Sequence, residues 1–452
     1  MRQMRAMAMT GIAATLLSGS ALARQAAPVA PPPAPPRPVA APAPAAPKAP
    51  VSRVLPRTSA LLNDYVAGKR IPGIAAAIGR GSRVTYLGAG ALAYDAGAAP
   101  ANADSLWRVY SMTKPITAMA AMMLIEEGKL KLDEPISDFF PAFAHMTVLD
   151  DPAKDLTAHP ARTLITVREL MTHTAGLGYT IVSKGPLLDA YNKAGIIPFT
   201  ADPKTEAQVR AVRPKSLSDF AERVATLPLI AEPGTKWSYS IGLDVLGAVI
   251  EKASGMPFDR FLQTRLFDPL KMRSTYFTVP QSEANRLATG YFFLGNQPVP
   301  IDPAASSAYL QPPSFPYGGA GLVMSARDYD RFLHMLDNGG TLDGVRVMKP
   351  ETVKLALSNL LPAGVTYGGA VSNTGGAQDP DQGFGAGGSV YLRDMPNGVS
   401  KGSYSWGGAA GTIFWLDPVK HIRATVMVNY LPADRVPLRQ EATAAIYADF
   451  GH

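Results

Sequence analysis

Tyr110-Ser111-Met112-Thr113-Lys114-Pro115, running on as Ile116-Thr-Ala-Met-Ala-Ala-Met-Met-Leu-Ile125-Glu-Glu-Gly128, decides how this 452-residue chain is read. From Met119 to Ile125 the stretch is apolar on every side, which predicts a buried helix. Gly128 is a natural stop, and Pro115 is tolerable only in the first turn. Ser111 then sits at the helix mouth, where free N–H groups and the helix dipole favour a developing anion. Lys114 lies three residues on, on the same face and within reach of the Ser111 hydroxyl. Burial against an apolar helix disfavours an ammonium, so a lysine there can take up a proton. A serine nucleophile without a histidine partner needs such a base. The plain alternative is Ser111 as a helix cap and Lys114 as a solvated first-turn lysine. With 26 Ser and 17 Lys in the chain, about one Ser-x-x-Lys arises by chance, so the motif alone does not decide.

Around this helix the chain changes character. Ser59–Val66 predicts a helix ending at Gly68, and Pro72-Gly73 breaks the chain after it. Two β-like runs, Ile74–Ile78 and Arg83–Leu87, are joined by Gly79-Arg80-Gly81-Ser82, a hairpin signal. Residues 130–300 are richer in helical patterns and loops. Residues 317–325, 386–393, 402–416 and 421–430 return to β character, and 438–450 form an amphipathic helix. The expected fold is α+β: an antiparallel sheet flanked by N- and C-terminal helices, with a helical domain inserted. The domain spans 55–452, its sheet part about 55–130 and 300–452, its helical insert about 130–300.

Composition narrows the chemistry. With 47% hydrophobic and 17% charged residues the chain supports an ordinary core. It has no cysteine, which removes disulfides, thiolate metal sites and a cysteine nucleophile. The six histidines show no metal-ligand spacing, so no metal is expected. No apolar run is long enough for a membrane span. The net charge of +7 comes from residues 1–57, which hold seven Lys or Arg and no acid; the remainder carries 36 of each sign. A nucleic-acid partner therefore has no support. Residues 1–23 read as an export signal: Arg2 and Arg5, a short apolar stretch from Ala6 to Leu17, then Ala21-Leu22-Ala23 for cleavage. The expected location is periplasmic or secreted. Residues 24–54 read as an Ala/Pro-rich tether, with 11 prolines in 26–50.

Two further segments change the odds on Ser111. One is Lys236-Trp237-Ser238-Tyr239-Ser240-Ile241-Gly242-Leu243-Asp244-Val245; the other is Ser405-Trp406-Gly407-Gly408-Ala409-Ala410-Gly411. In this order after Ser-Met-Thr-Lys, they resemble the serine β-lactamase-like superfamily. That superfamily holds class C β-lactamases, D-alanyl-D-alanine peptidases and family VIII carboxylesterases. Glu169–Leu177, Phe267–Met272 and Gly318–Ser325 agree, and the resemblance covers roughly 55–450.

The resemblance implies that Ser111 is the nucleophile, that Lys114 shares its proton and that Tyr239 is the second base. It places the oxyanion hole at the N–H groups of Ser111 and Ala409. Trp406-Gly407-Gly408 stand where a β-lactamase has Lys-Thr-Gly, and Ile241 stands where it has the Asn of Tyr-x-Asn; these four are the expected substrate-binding residues. The changes favour the family VIII esterases, with a small-molecule ester as substrate, no cofactor, and at most weak β-lactam binding. A β-lactamase or D-amino-acid peptidase is the alternative enzyme, and a non-catalytic cell-wall binder the alternative of another class. Asp244 either orients its loop or touches substrate. Gly398-Val399-Ser400-Lys401-Gly402 fits the G-x-S-x-G pattern but lacks the strand before and helix after that a nucleophile elbow needs. His173 is expected to be structural.

Overall fold

The structure is a computed structural model that describes residues 52–199, 202–368 and 380–452. The expected signal segment and nearly all of the tether lie outside the described residues. A seven-stranded antiparallel sheet runs in the order Gln382–Phe384, Ser389–Tyr391, Tyr404–Gly407, Ile413–Asp417, Ile422–Met427, Gly73–Arg80, Arg83–Gly90. The first hairpin turns on Gly81, whose φ of 54° suits glycine, and pairs Arg80 with Arg83 through to Gly73 with Gly90. The two ends of the domain thus meet in one sheet, Ala75 opposite Met427.

Alternation along Gly73–Arg80 explains how both faces are covered. Ile74, Ala76 and Ile78 pack with Leu62, Tyr65, Ala442 and Ile446 of the terminal helices Pro56–Ala67 and Leu438–Asp449. Ala75 and Ala77 face the opposite way, into the larger core with Tyr329 and Phe332 of helix Ala326–Asp337. A sheet covered on both faces reads as nearly continuous apolar sequence, as Ile422–Met427 does.

Helix Thr113–Glu126 is buried from Thr113 to Leu124. It packs against helix Gly242–Ser254. The insert region holds helices Val167–Thr172, Gly185–Lys193, Pro203–Val209, Leu217–Val224 and Phe258–Leu262. It also holds β structure that the pattern did not suggest, such as the hairpin Gly290–Leu294 with Gln297–Asp302. Residues 317–325 differ from expectation in the other direction. Only Val323–Met324 is a strand; Gly318–Ala320 is a turn stitched onto two helices. Among the described residues no helix is long and apolar enough to cross a membrane.

Candidate active site

Ser111 lies in the short 3-10 turn Tyr110–Met112 that runs directly into helix Thr113–Glu126. It is half-buried, whereas Lys114 is fully buried. The Ser111 Oγ accepts a hydrogen bond from the Tyr239 hydroxyl at 2.6 Å and one from Lys114 Nζ at 3.2 Å. Lys114 Nζ also donates to the Gly319 carbonyl at 2.8 Å. It lies 4.6 Å from the centre of the Tyr239 ring. Three residues from two distant segments therefore converge on one oxygen.

The scaffold behind them is tied together by hydrogen bonds. Thr117 donates to the Gly318 carbonyl at 2.6 Å, and Thr113 Oγ1 accepts from Leu322 N at 3.1 Å. The buried helix and the 318–322 segment thus hold one another. Tyr239 precedes helix Gly242–Ser254, whose N-cap is Ile241. Ile241, expected among the substrate-binding residues, is fully buried in the core. The position is the N-cap of a helix within the insert that packs against helix Thr113–Glu126.

Trp406 and Gly407 end strand Tyr404–Gly407 beside the site, and the Trp406 ring centre lies 5.9 Å from that of Tyr239. Gly408 has to be glycine: a Cβ there would sit 2.4 Å from the Val109 carbonyl and 2.2 Å from Thr412 Oγ1. This close approach brings the 408–411 turn against the residues just before Ser111. Ala409 is exposed in that turn, and its N–H meets no acceptor among the described residues.

An aromatic wall surrounds Tyr239 that sequence reasoning did not identify. Tyr179, Trp237 and His173 lie 5.6, 6.4 and 4.7 Å from its ring centre. Phe384 packs on Trp406 at 5.2 Å. Burial holds the Tyr179 phenol well above its ordinary pKa, so it stays neutral. These residues come from four separate segments, and only the fold assembles them.

His173 is fully buried at the left-handed end of helix Val167–Thr172, with φ of 58°. Its Nδ1 accepts the Ser240 N–H at 3.2 Å, which assigns the ring proton to Nε2. Burial, aided by the Lys114 charge, pushes its pKa well below the usual value. It is a neutral prop beneath the Tyr239 segment and is bonded to no residue of the Ser111 cluster. Ser400 is also separate: it is 2% exposed, in a loop, accepting from Lys420 Nζ at 2.7 Å. Among the described residues no group of three or more His, Asp or Glu could hold a metal.

A half-open serine held by lysine and tyrosine, on this sheet-and-helix fold, defines a serine hydrolase of β-lactamase fold. The model of the Beta-lactamase family matches residues 58–448, and the chain belongs to that family. Esterase EstB of Burkholderia gladioli is 29% identical over 395 residues, covering 82% of this chain and 90% of EstB. The solved structure of EstCE1, described as a hydrolase with promiscuous acyltransferase activity, is similar with TM-score 0.70 and 26% identity, covering 87% of this chain and 98% of EstCE1. A simvastatin synthase variant from Aspergillus terreus is similar with TM-score 0.69 and 25% identity, covering 87% and 98%.

Proposed function

We propose that this protein is an exported esterase that cleaves short-chain carboxylic esters through an acyl-enzyme on Ser111. The observation that carries the reading is the Ser111 Oγ, half-open and held by both Tyr239 and Lys114. The printed names of EstB and EstCE1 support ester chemistry, and the Arg2–Ala23 pattern supports export.

Drawn with Tyr239 and Lys114 both donating, Ser111 has nowhere to send its own proton. Acylation begins from the form in which this pair has lost one proton. Ser111 O–H then donates into the pair as its Oγ bonds to the ester carbonyl carbon. The carbonyl oxygen becomes an oxyanion, held by the Ser111 and Ala409 N–H groups. As the tetrahedral adduct collapses, the pair passes the same proton to the departing alcohol oxygen. Water enters, gives a proton to the pair and adds to the acyl carbon. Collapse releases the acid and returns the proton to Ser111 Oγ. No cofactor takes part in any of these steps.

Trp406 offers the substrate an apolar wall and no cation, which suits a neutral ester better than a β-lactam carboxylate. The test is a panel of p-nitrophenyl acetate, p-nitrophenyl butyrate and nitrocefin, with intact-mass detection of fluorophosphonate on Ser111. Rapid ester turnover and single labelling at Ser111 are expected. A kcat/KM for nitrocefin equal to that for the esters would overturn the esterase reading.

A further inference from the structure

Asp244 is a buried acid that reaches this cluster without belonging to it. It is fully buried in the first turn of helix Gly242–Ser254. Its Oδ1 accepts the Gly319 N–H at 2.8 Å. Its Oδ2 has no hydrogen-bond partner among the described residues. The other side of that glycine is the carbonyl that receives Lys114 Nζ at 2.8 Å. A single residue thus joins the carboxyl to the lysine, N–H on one side and C=O on the other. The fit is tight, since a Cβ on Gly319 would lie 2.4 Å from Asp244 Oδ2. A buried, half-satisfied carboxyl is costly, and an apolar residue in a helix packed this deeply would avoid the cost.

Resting on the assignment of Ser111 as nucleophile, we infer that Asp244 is a positioning residue: it fixes the Gly319 segment so that the carbonyl aims Lys114 Nζ at Ser111 Oγ. The carboxyl touches neither substrate nor reacting atoms. Without its acceptor the Gly319 N–H is left unpaired, and the segment and Lys114 shift together. A shift of about 1 Å at a reacting group costs on the order of 10²-fold in rate. Because the ester does not meet Asp244, KM stays put.

The experiment compares the full-length wild type with Asp244→Ala, Asp244→Asn and Gly319→Ala on p-nitrophenyl butyrate. Each kcat is divided by the fraction of sites titrated with fluorophosphonate, so misfolded protein does not count. Asp244→Ala is expected to lose about 10²-fold in kcat with KM within about twofold of wild type. Asp244→Asn, which keeps an oxygen acceptor for Gly319 N–H, is expected to recover most of that loss. Gly319→Ala, with Asp244 intact, is expected to lose kcat as Asp244→Ala does. If Asp244→Ala yields no folded protein, the other two variants decide. An unchanged kcat in Asp244→Ala and Gly319→Ala overturns the inference. So does a loss confined to KM, which would place Asp244 on the substrate, or an Asn variant as slow as Ala. A wild type that fluorophosphonate does not label at Ser111 overturns the parent assignment instead.

Discussion

Exchanging Asp244 for Asn also has a consequence for stability that can be worked out in advance. Burial raises the carboxyl to a pKa of about 7 from 3.8, with the Lys114 charge and the Gly319 N–H pulling it back. The groups facing it are Lys114 from helix Thr113–Glu126 and Tyr179 from the loop after helix Val167–Thr172, and the 318–321 segment brings only backbone. Tyr179 stays neutral throughout. The folded protein keeps the Asp244 proton up to about pH 7, whereas the unfolded chain releases it near 3.8. The native state therefore binds more protons between these values, and stability falls as pH rises through that window, levelling off above it. Each unit is about 1.4 kcal/mol. From pH 5 to pH 8 the wild type loses about 2.5 kcal/mol through this one group. An amide at the same place does not titrate and escapes the loss.

The assay is thermal unfolding of wild type and Asp244→Asn at pH 5 and pH 8, reading the difference in Tm between the two proteins. For a domain of this size about 2.5 kcal/mol corresponds to about 3 °C. The Asn variant is expected to gain about 3 °C on wild type between the two pH values while turning over more slowly. All other titrating groups are common to both proteins and cancel in the comparison. A Tm difference that does not change with pH would show that Asp244 is ionised throughout, and the reasoning from its burial would be wrong.

The other predictions test the cluster itself. Ser111→Ala is expected to lose on the order of 10⁴-fold or more in kcat with Tm unchanged, and Ser400→Ala to keep wild-type kcat; steady-state rates on p-nitrophenyl butyrate check both. Tyr239→Phe and Lys114→Ala are each expected to approach the Ser111→Ala loss, with the double variant little worse, because they serve one proton relay; multiplied losses in the double variant would refute a shared relay. Trp406→Lys is expected to shift the nitrocefin-to-ester ratio of kcat/KM upward by about 10- to 150-fold, the worth of a charge-assisted hydrogen bond of roughly 1.5–3 kcal/mol to a carboxylate. N-terminal sequencing of exported material is expected to begin at Arg24.

What the sequence made legible was local or glycine-marked. The Ser111–Lys114 pair is three residues apart on one helix, so geometry follows from spacing. The first hairpin shows because Gly81 adopts a positive φ between two apolar runs. Tyr239 carried no local signal and was reached only through resemblance. The Asp244–Gly319 contact was invisible for a different reason. Its partners are 75 positions apart, and Gly318–Gly321 reads as β because the residues after it are apolar. The segment is a turn instead, since its polar backbone groups are taken by Lys114, Thr117 and Asp244. Tertiary partners outweighed local propensity there. Ile241 stands at the N-cap of helix Gly242–Ser254 with its side chain in the core, a burial that residue type alone does not foretell.

Two Ser–Lys pairs in one chain show what turns such a pair into a site. Lys114 stands 3.2 Å from Ser111, and Lys420 stands 2.7 Å from Ser400, so proximity favours the second. The groups that hold Ser400 are committed to one another, however. Its N–H goes to Asp417 at 3.1 Å, Lys420 also serves the Gly398 carbonyl at 2.8 Å, and Asp417 is further held by the Tyr447 hydroxyl at 2.8 Å. The network ties a loop to the C-terminal helix. Ser400 is closed to solvent as well. Ser111 differs on each count. Ser111 itself is half-open, a second proton-carrying group reaches its oxygen in Tyr239, and Ala409, exposed in the turn that meets Val109, has an N–H without an acceptor among the described residues. Catalysis needs groups whose hydrogen bonds are completed only as the reaction proceeds. Where the folded chain has already completed them, the same residue types make a joint.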